Sequence, residues 1–185
     1  MGKSVSSELY ITGMLVSIEG GQGRMIVEKY KALADYVESG IEGIRRTGLK
    51  VLVLRDRYVK LLMPLQGNIN HVGIMYAGSL FTIGEVVGGA IFGASFNMGQ
   101  YYPLVKEVHI RFRRPALTDI TLEAELGEGQ VALILDEMEA KGKADFTLDL
   151  ELRDANQEVI STVQGIWQGR KMTPELLALL SRASG

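Results

Sequence analysis

Residues 72–96 read VGIMYAGSLFTIGEVVGGAIFGASF: twenty-five residues with one charge, Glu85, and glycines at 73, 78, 84, 88, 89 and 93. About 20 apolar residues suffice to cross a bilayer, so a membrane span is the first reading to test. The six glycines weigh against it. So does the carboxylate near the centre, which costs about 2.5–3.5 kcal/mol even on a lenient insertion scale. A helix that is apolar all round is otherwise a buried helix. Glycines at 84, 88, 89 and 93 would let a sheet backbone approach its axis, each at up to about 1 kcal/mol of helix propensity. The expected fold class is therefore α+β: one long central helix enclosed by a curved antiparallel sheet, with no membrane span.

The flanks supply that sheet. Val51 to Leu54 and Tyr58 to Met63 read as two strands joined by a turn at Arg55-Asp56-Arg57, and Pro64 closes the pair. Beyond residue 104, Val108, Ile110 and Phe112 alternate with His109, Arg111 and Arg113. Ile120, Leu122, Ala124 and Leu126 alternate with polar residues in the same way, as do Phe146, Leu148, Leu150 and Leu152. Each is a period-two pattern with one buried face and one wet face. Val159 to Trp167 adds a further strand. Val131, Ile134, Leu135 and Met138 follow helical spacing before Gly142, which predicts a surface helix. Thr173-Pro174-Glu175 places a cap and a first-turn proline at the start of a C-terminal helix. Upstream, Ile26, Tyr30, Leu33, Val37, Ile41 and Ile44 recur every three or four residues and predict a helix over 24–46, stopped at Gly48. Residues 1–23 lack a period, end in Gly20-Gly21-Gln22-Gly23, and read as an irregular leader before a single domain over 24–185.

The whole chain narrows the function classes. Its 185 residues make about one domain, and its formal net charge of −2 marks no nucleic-acid binder. The absence of cysteine excludes disulfides, thiolate metal sites and a cysteine nucleophile. Two histidines, His71 and His109, are too few for a histidine-rich metal site within one chain. Met1-Gly2-Lys3-Ser4-Val5-Ser6 fits the loose N-myristoylation pattern, but Leu9 to Val16 does not read as a signal peptide. A cytoplasmic protein is the expectation.

Residues 70–85, Asn-His-Val-Gly-Ile-Met-Tyr-Ala-Gly-Ser-Leu-Phe-Thr-Ile-Gly-Glu, resemble the loop and helix start of hotdog-fold thioesterases, in particular the phenylacetate-pathway-like branch and the domains fused to acetyltransferases. That branch carries Asn, then His-Gly-Gly, then an acid nine residues after the His. Asn70 and Glu85 match the first and last places, while Tyr76-Ala77-Gly78 stands where His-Gly-Gly would be. Leu65 to Asn70 and Phe112-Arg113-Arg114-Pro115-Ala116 are also similar. The resemblance spans roughly residues 45–170. It implies an acyl-coenzyme A thioesterase, with the acid of one subunit facing the loop of its partner in a homodimer or dimer of dimers. No cofactor is implied beyond the coenzyme A of the substrate itself; an acyl-carrier thioester is the alternative substrate.

The residues suit that chemistry. Hydrolysis of a thioester needs donors for the developing oxyanion and a base or nucleophile. Ala77, Gly78 and Ser79 fall where a helix N-terminus offers free N–H groups. Glu85 lies about 10 Å further along, too far to serve its own helix end. Burial would raise its pKa toward that of a useful base, although a salt bridge to an arginine across the dimer is the non-catalytic alternative. Asn70 either orients water or the carbonyl or merely caps the loop, and His71 is either catalytic or a loop residue. Ser79 reads as an N-cap rather than a nucleophile. Tyr76 can donate a hydrogen bond or simply pack; Thr82 is a further candidate substrate contact. Arg113, with Lys106, Arg111 and Arg114, suits coenzyme A phosphates, a solvated strand face, or pairing with Glu85. Two other functions stay open. His71, fourteen residues before Glu85, has the spacing of hotdog dehydratases and hydratases, without their His-Phe-Pro. Tyr76 in the histidine place would also suit an acyl-coenzyme A binding domain without turnover.

Overall fold

A computed structural model describes residues 7–11, 14–19 and 23–183. Nine strands form one sheet in the order β1-β2-β3-β4-β5-β7-β8-β9-β6, antiparallel at every pairing except the parallel β3–β4 pair. The strands are β1 (Ser7–Ile11), β2 (Met14–Glu19), β3 (Arg24–Val27), β4 (Lys50–Arg55), β5 (Tyr58–Met63), β6 (Tyr101–Phe112), β7 (Ile120–Glu125), β8 (Lys143–Arg153) and β9 (Val159–Lys171). Five α-helices accompany them: α1 (Lys31–Ser39), α2 (Glu42–Thr47), α3 (Ala77–Gly93), α4 (Glu128–Lys141) and α5 (Pro174–Ala183).

The glycine-rich stretch forms α3, and most of its side chains are buried. Its glycines are used differently from the expectation of sheet backbone at the helix surface, because side chains fill the space instead. A Cβ at Gly84 would meet Val163 at 2.9 Å, one at Gly88 would meet the Trp167 indole at 2.0 Å, and one at Gly93 would meet Leu33 at 2.8 Å. Trp167 and Val163 therefore reach from β9 onto the helix, and Leu33 reaches from α1. The inner rows of β5, β7 and β8 (Val59 and Leu61; Ile120, Leu122 and Ala124; Phe146 and Leu148) complete the same apolar cluster.

Elsewhere the turn at Asp56-Arg57, the alternating β7 and β8, the surface helix α4 and its left-handed stop at Gly142 agree with the sequence. Thr173 Oγ1 accepts the Leu176 N–H at 3.3 Å, so α5 has the predicted cap. Two expectations are corrected. The stretch read as an irregular leader contains β1 and β2, paired to each other and to β3. The helix expected from residue 24 begins instead at Lys31 and breaks at Gly40-Ile41, leaving Ile41 exposed. Residues 24–27 are a strand because Met25 and Ile26 pair with Val53 and Leu54, a distant partner that local periodicity does not reveal. The candidate myristoylation site, Met1 to Ser6, and residues 20–22 of the glycine run lie outside the described residues.

Candidate active site

The loop before α3 is held by Asn68. Its side-chain amide donates to the carbonyls of Thr47 at 2.7 Å and Pro64 at 2.8 Å, and its Oδ1 accepts the Ser79 hydroxyl at 2.8 Å. Its backbone carbonyl accepts the Tyr76 N–H at 2.7 Å, while the Met75 N–H donates to Ala116. These bonds fix Tyr76 in an extended conformation, φ −62 and ψ 133, from which the helix starts. Ser79 is thus not the N-cap: its hydroxyl is buried against Asn68, and Tyr76 occupies the cap position. Asn68 carries no signal of spacing or period in the sequence, whereas Asn70 matches the asparagine of the family motif.

Residues 70–74 form a tight turn closed by Asn70 N–H donating to Ile74 O at 2.8 Å, with Gly73 at φ +87. Asn70 Oδ1 accepts the N–H groups of Val72 and Ile74, so this oxygen acts as the loop cap. His71 sits exposed beside Val72 at the tip of the turn. Tyr76 is 59% exposed and its ring lies against Gly78, where a Cβ would come within 2.2 Å of it.

At the helix start, the Ser79 and Leu80 N–H groups both point to Tyr76 O. The N–H groups of Ala77 and Gly78 find no acceptor among the described residues. Two adjacent amides at the positive end of a 17-residue helix are suited to hold an oxyanion.

Glu85 lies seven residues beyond Gly78, about 10 Å along the axis. It is half-buried and has no hydrogen-bond or ion-pair partner among the described residues. Removal from water raises its pKa above the ordinary carboxylate value of 4.5. It belongs to a stripe of α3 that its own chain leaves open: Gly78, Phe81 (41% exposed), Thr82, Glu85 and Gly89. Thr82 is half-buried and spends its hydroxyl on Gly78 O at 2.8 Å.

The inner row of β6 lies on the same face of the sheet as α3. Directly opposed residues on an antiparallel pair share a face. Val105, Val108, Ile110 and Phe112 oppose the buried Trp167, Gly165, Val163 and Ser161 of β9, so they point toward the helix. Phe112 is nevertheless 48% exposed and Val105 46%, because β6 is the last strand of the sheet among the described residues. Arg111 opposes Thr162 on the other face, and Arg113 follows it. Arg113 lines an open cleft of about 780 Å³ with Arg111, Arg153, Asp149 and Glu151 on the sheet surface away from α3. Neither arginine can pair with Glu85 of its own chain. His109 also lies on that outer face, beside Glu107. Among the described residues no group of three acidic, histidine or cysteine side chains could hold a metal, and no helix is long and apolar enough to cross a membrane.

A curved, antiparallel-rich sheet around one long helix, with a loop feeding the helix N-terminus, defines the class: this is the hotdog fold of the thioesterase superfamily. The chain belongs to the family described as domain of unknown function DUF4442, whose model matches residues 46–168. A solved Pseudomonas aeruginosa structure, described as a protein of unknown function and probable thioesterase, is 42% identical over 77% of this chain and 95% of its own, with a TM-score of 0.73. At the level of fold alone, a protein of unknown function from Chlorobaculum tepidum aligns at 19% identity over 78% of this chain and 95% of its own, TM-score 0.69. A mutant thioesterase of P. aeruginosa aligns at 14% identity over 76% and 94%, TM-score 0.60. No curated protein matches at a significant level.

Proposed function

We propose that the chain is an acyl-coenzyme A thioesterase whose site is completed across a homodimer. The observation that carries this is Glu85: an unpaired, half-buried carboxyl on the open face of a helix whose N-terminus offers two free amides. The thioester carbonyl oxygen accepts from Ala77 and Gly78, and the charge that develops on it is met by fixed dipoles that need no reorganisation. Glu85 then takes a proton from water as hydroxide adds to the carbonyl carbon and returns it to the departing sulfur, or adds to that carbon itself to give an anhydride that water hydrolyses after the thiolate has left. In both routes the carbon–sulfur bond breaks and the sulfur departs. Within one chain the amides and Glu85 stand about 10 Å apart along one axis, so the working pair comes from two chains. The uncovered edge of β6, twelve residues long with an apolar inner row, supports that pairing, since a free strand edge is a template for a second strand.

The test is release of free thiol from a panel of acyl-coenzyme A esters. Wild-type turnover, lost by about a thousandfold in Glu85→Gln, is expected, in line with the usual worth of a general base. Turnover that survives Glu85→Gln would sink the assignment, as would the absence of turnover on every ester. Water addition to an enoyl thioester, lost in His71→Ala, would move the protein to the hydratases. Saturable binding without turnover would leave a binding domain.

A further inference from the structure

Aromatic residues aside, Asn68, Ser79 and Ser161 are the buried polar residues among the described ones. Asn68 and Ser79 are bonded to each other at the start of α3. Such a pair adds little stability, because an apolar pair of the same shape can serve as well. A fully bonded buried pair does what an apolar one cannot: it imposes one geometry. Asn68 is fully bonded. Its amide donates to Thr47 O at 2.7 Å, at the end of α2, and to Pro64 O at 2.8 Å, just past β5, while its Oδ1 accepts the Ser79 hydroxyl at 2.8 Å.

The way α3 begins makes that geometry matter. An ordinary helix start carries Ser, Thr, Asp or Asn at the cap, and its side-chain oxygen accepts the N–H of the second or third helical residue. In α3 those residues are Gly78 and Ser79, but the cap is Tyr76, whose side chain makes no such bond. The Ser79 N–H donates to Tyr76 O at 3.0 Å. The Ala77 and Gly78 N–H groups stay without an acceptor among the described residues. A capping side chain would compete for the Gly78 amide. A first turn with no cap frays unless it is held by other means.

We infer that the Asn68–Ser79 pair is a substitute cap, a positioning device for the proposed oxyanion site. Ser79 is the third residue of α3, so its hydroxyl ties the first turn to Asn68. Asn68 ties that turn to the ends of α2 and β5. The turn is held by side chains, and the amides of Ala77 and Gly78 are left open for the carbonyl oxygen of the substrate. This rests on the thioesterase reading, and both residues act through the two amides.

The experiment measures kcat, KM and melting temperature with butanoyl-, octanoyl- and dodecanoyl-coenzyme A in wild type, Ser79→Ala and Ser79→Thr. Alanine is the best helix former, so Ser79→Ala is expected to fold and to melt close to wild type. Its kcat should fall about tenfold to a hundredfold, since a misplacement of about 1 Å at the reacting groups costs about a hundredfold. Its KM should stay within about twofold, because the interaction weakened is one made in the transition state. Ser79→Thr keeps the hydroxyl and should regain most of the lost kcat. A folded Ser79→Ala protein with wild-type kcat overturns the device, whatever its melting temperature. So does a raised KM at unchanged kcat, which would make Ser79 a substrate contact. Should wild type hydrolyse none of these esters, the thioesterase reading falls separately, and nitrogen-15 relaxation of the Ala77 and Gly78 amides decides the device. Amides that loosen in Ser79→Ala and are rigid again in Ser79→Thr sustain it; equal rigidity in all three proteins overturns it.

Discussion

Toward β9, α3 presents Gly84 and Gly88, and Val163 and Trp167 fill the room they leave. On its open stripe the same helix presents Gly78, Phe81, Glu85 and Gly89, left partly uncovered by the described residues. One side is closed by neighbours more than seventy residues away in sequence; the other keeps a carboxyl and an empty place. Small residues serve close packing on the first side and leave the second open. A glycine's meaning in this helix thus depends on what stands opposite it.

The contrast can be broken most sharply at the helix start. Ala77→Pro removes one of the two free N–H groups at the first helical position, where proline is well tolerated and where Tyr76 is already extended. Activity is expected to fall about a hundredfold or more, the cost of one oxyanion donor, with the melting temperature nearly unchanged. Equal losses of activity and stability would instead make the amides structural. On the closed side, Gly88→Ala sets a methyl 2.0 Å from the Trp167 indole nitrogen. Denaturant unfolding should show a loss of about 1–3 kcal/mol, the range for overpacking. Gly89→Ala, one residue on, should do the reverse and gain up to about 1 kcal/mol in the same measurement. If the two alanines behave alike, the two faces are not different.

The smallest effect concerns pH. Burial raises the Glu85 pKa in the folded state, so the native protein holds that proton more tightly than the unfolded chain does. Stability from this group is present in full below the ordinary carboxylate value of 4.5 and is lost as pH rises through the higher folded value. Glu85→Gln should therefore melt higher than wild type at neutral pH, with the gap closing as pH falls toward 4.5. A gap that widens on acidification would mean a cation pairs with Glu85.

Composition alone made α3 legible, since a helix apolar on every side requires a wrapping sheet. Caps made the ends of α4 and α5 legible, because Gly142 and Thr173-Pro174 act on their own turns. What failed was structure made by distant partners. Residues 24–27 carry helical spacing yet pair with Val53 and Leu54, and residues 7–11 and 14–19 show no period yet pair as strands. Phe112 follows the pattern of a buried row but stands exposed, because the last strand of the sheet has no neighbour on its far side among the described residues. In the site, Glu85 could be found as the lone charge in an apolar run. The loop anchor Asn68 could not, because its partners Thr47, Pro64 and Ser79 come together only in the fold.

Trp167 is the only tryptophan in the 185 residues. It is fully buried, with its indole nitrogen unpartnered among the described residues, lying on Gly88 of the helix and folding back over Gly165 of its own strand. The molecule thus carries a built-in optical gauge at a contact between helix and sheet. Its near-ultraviolet emission reports whether α3 is seated, a dry indole emitting to the blue and a wetted one to the red.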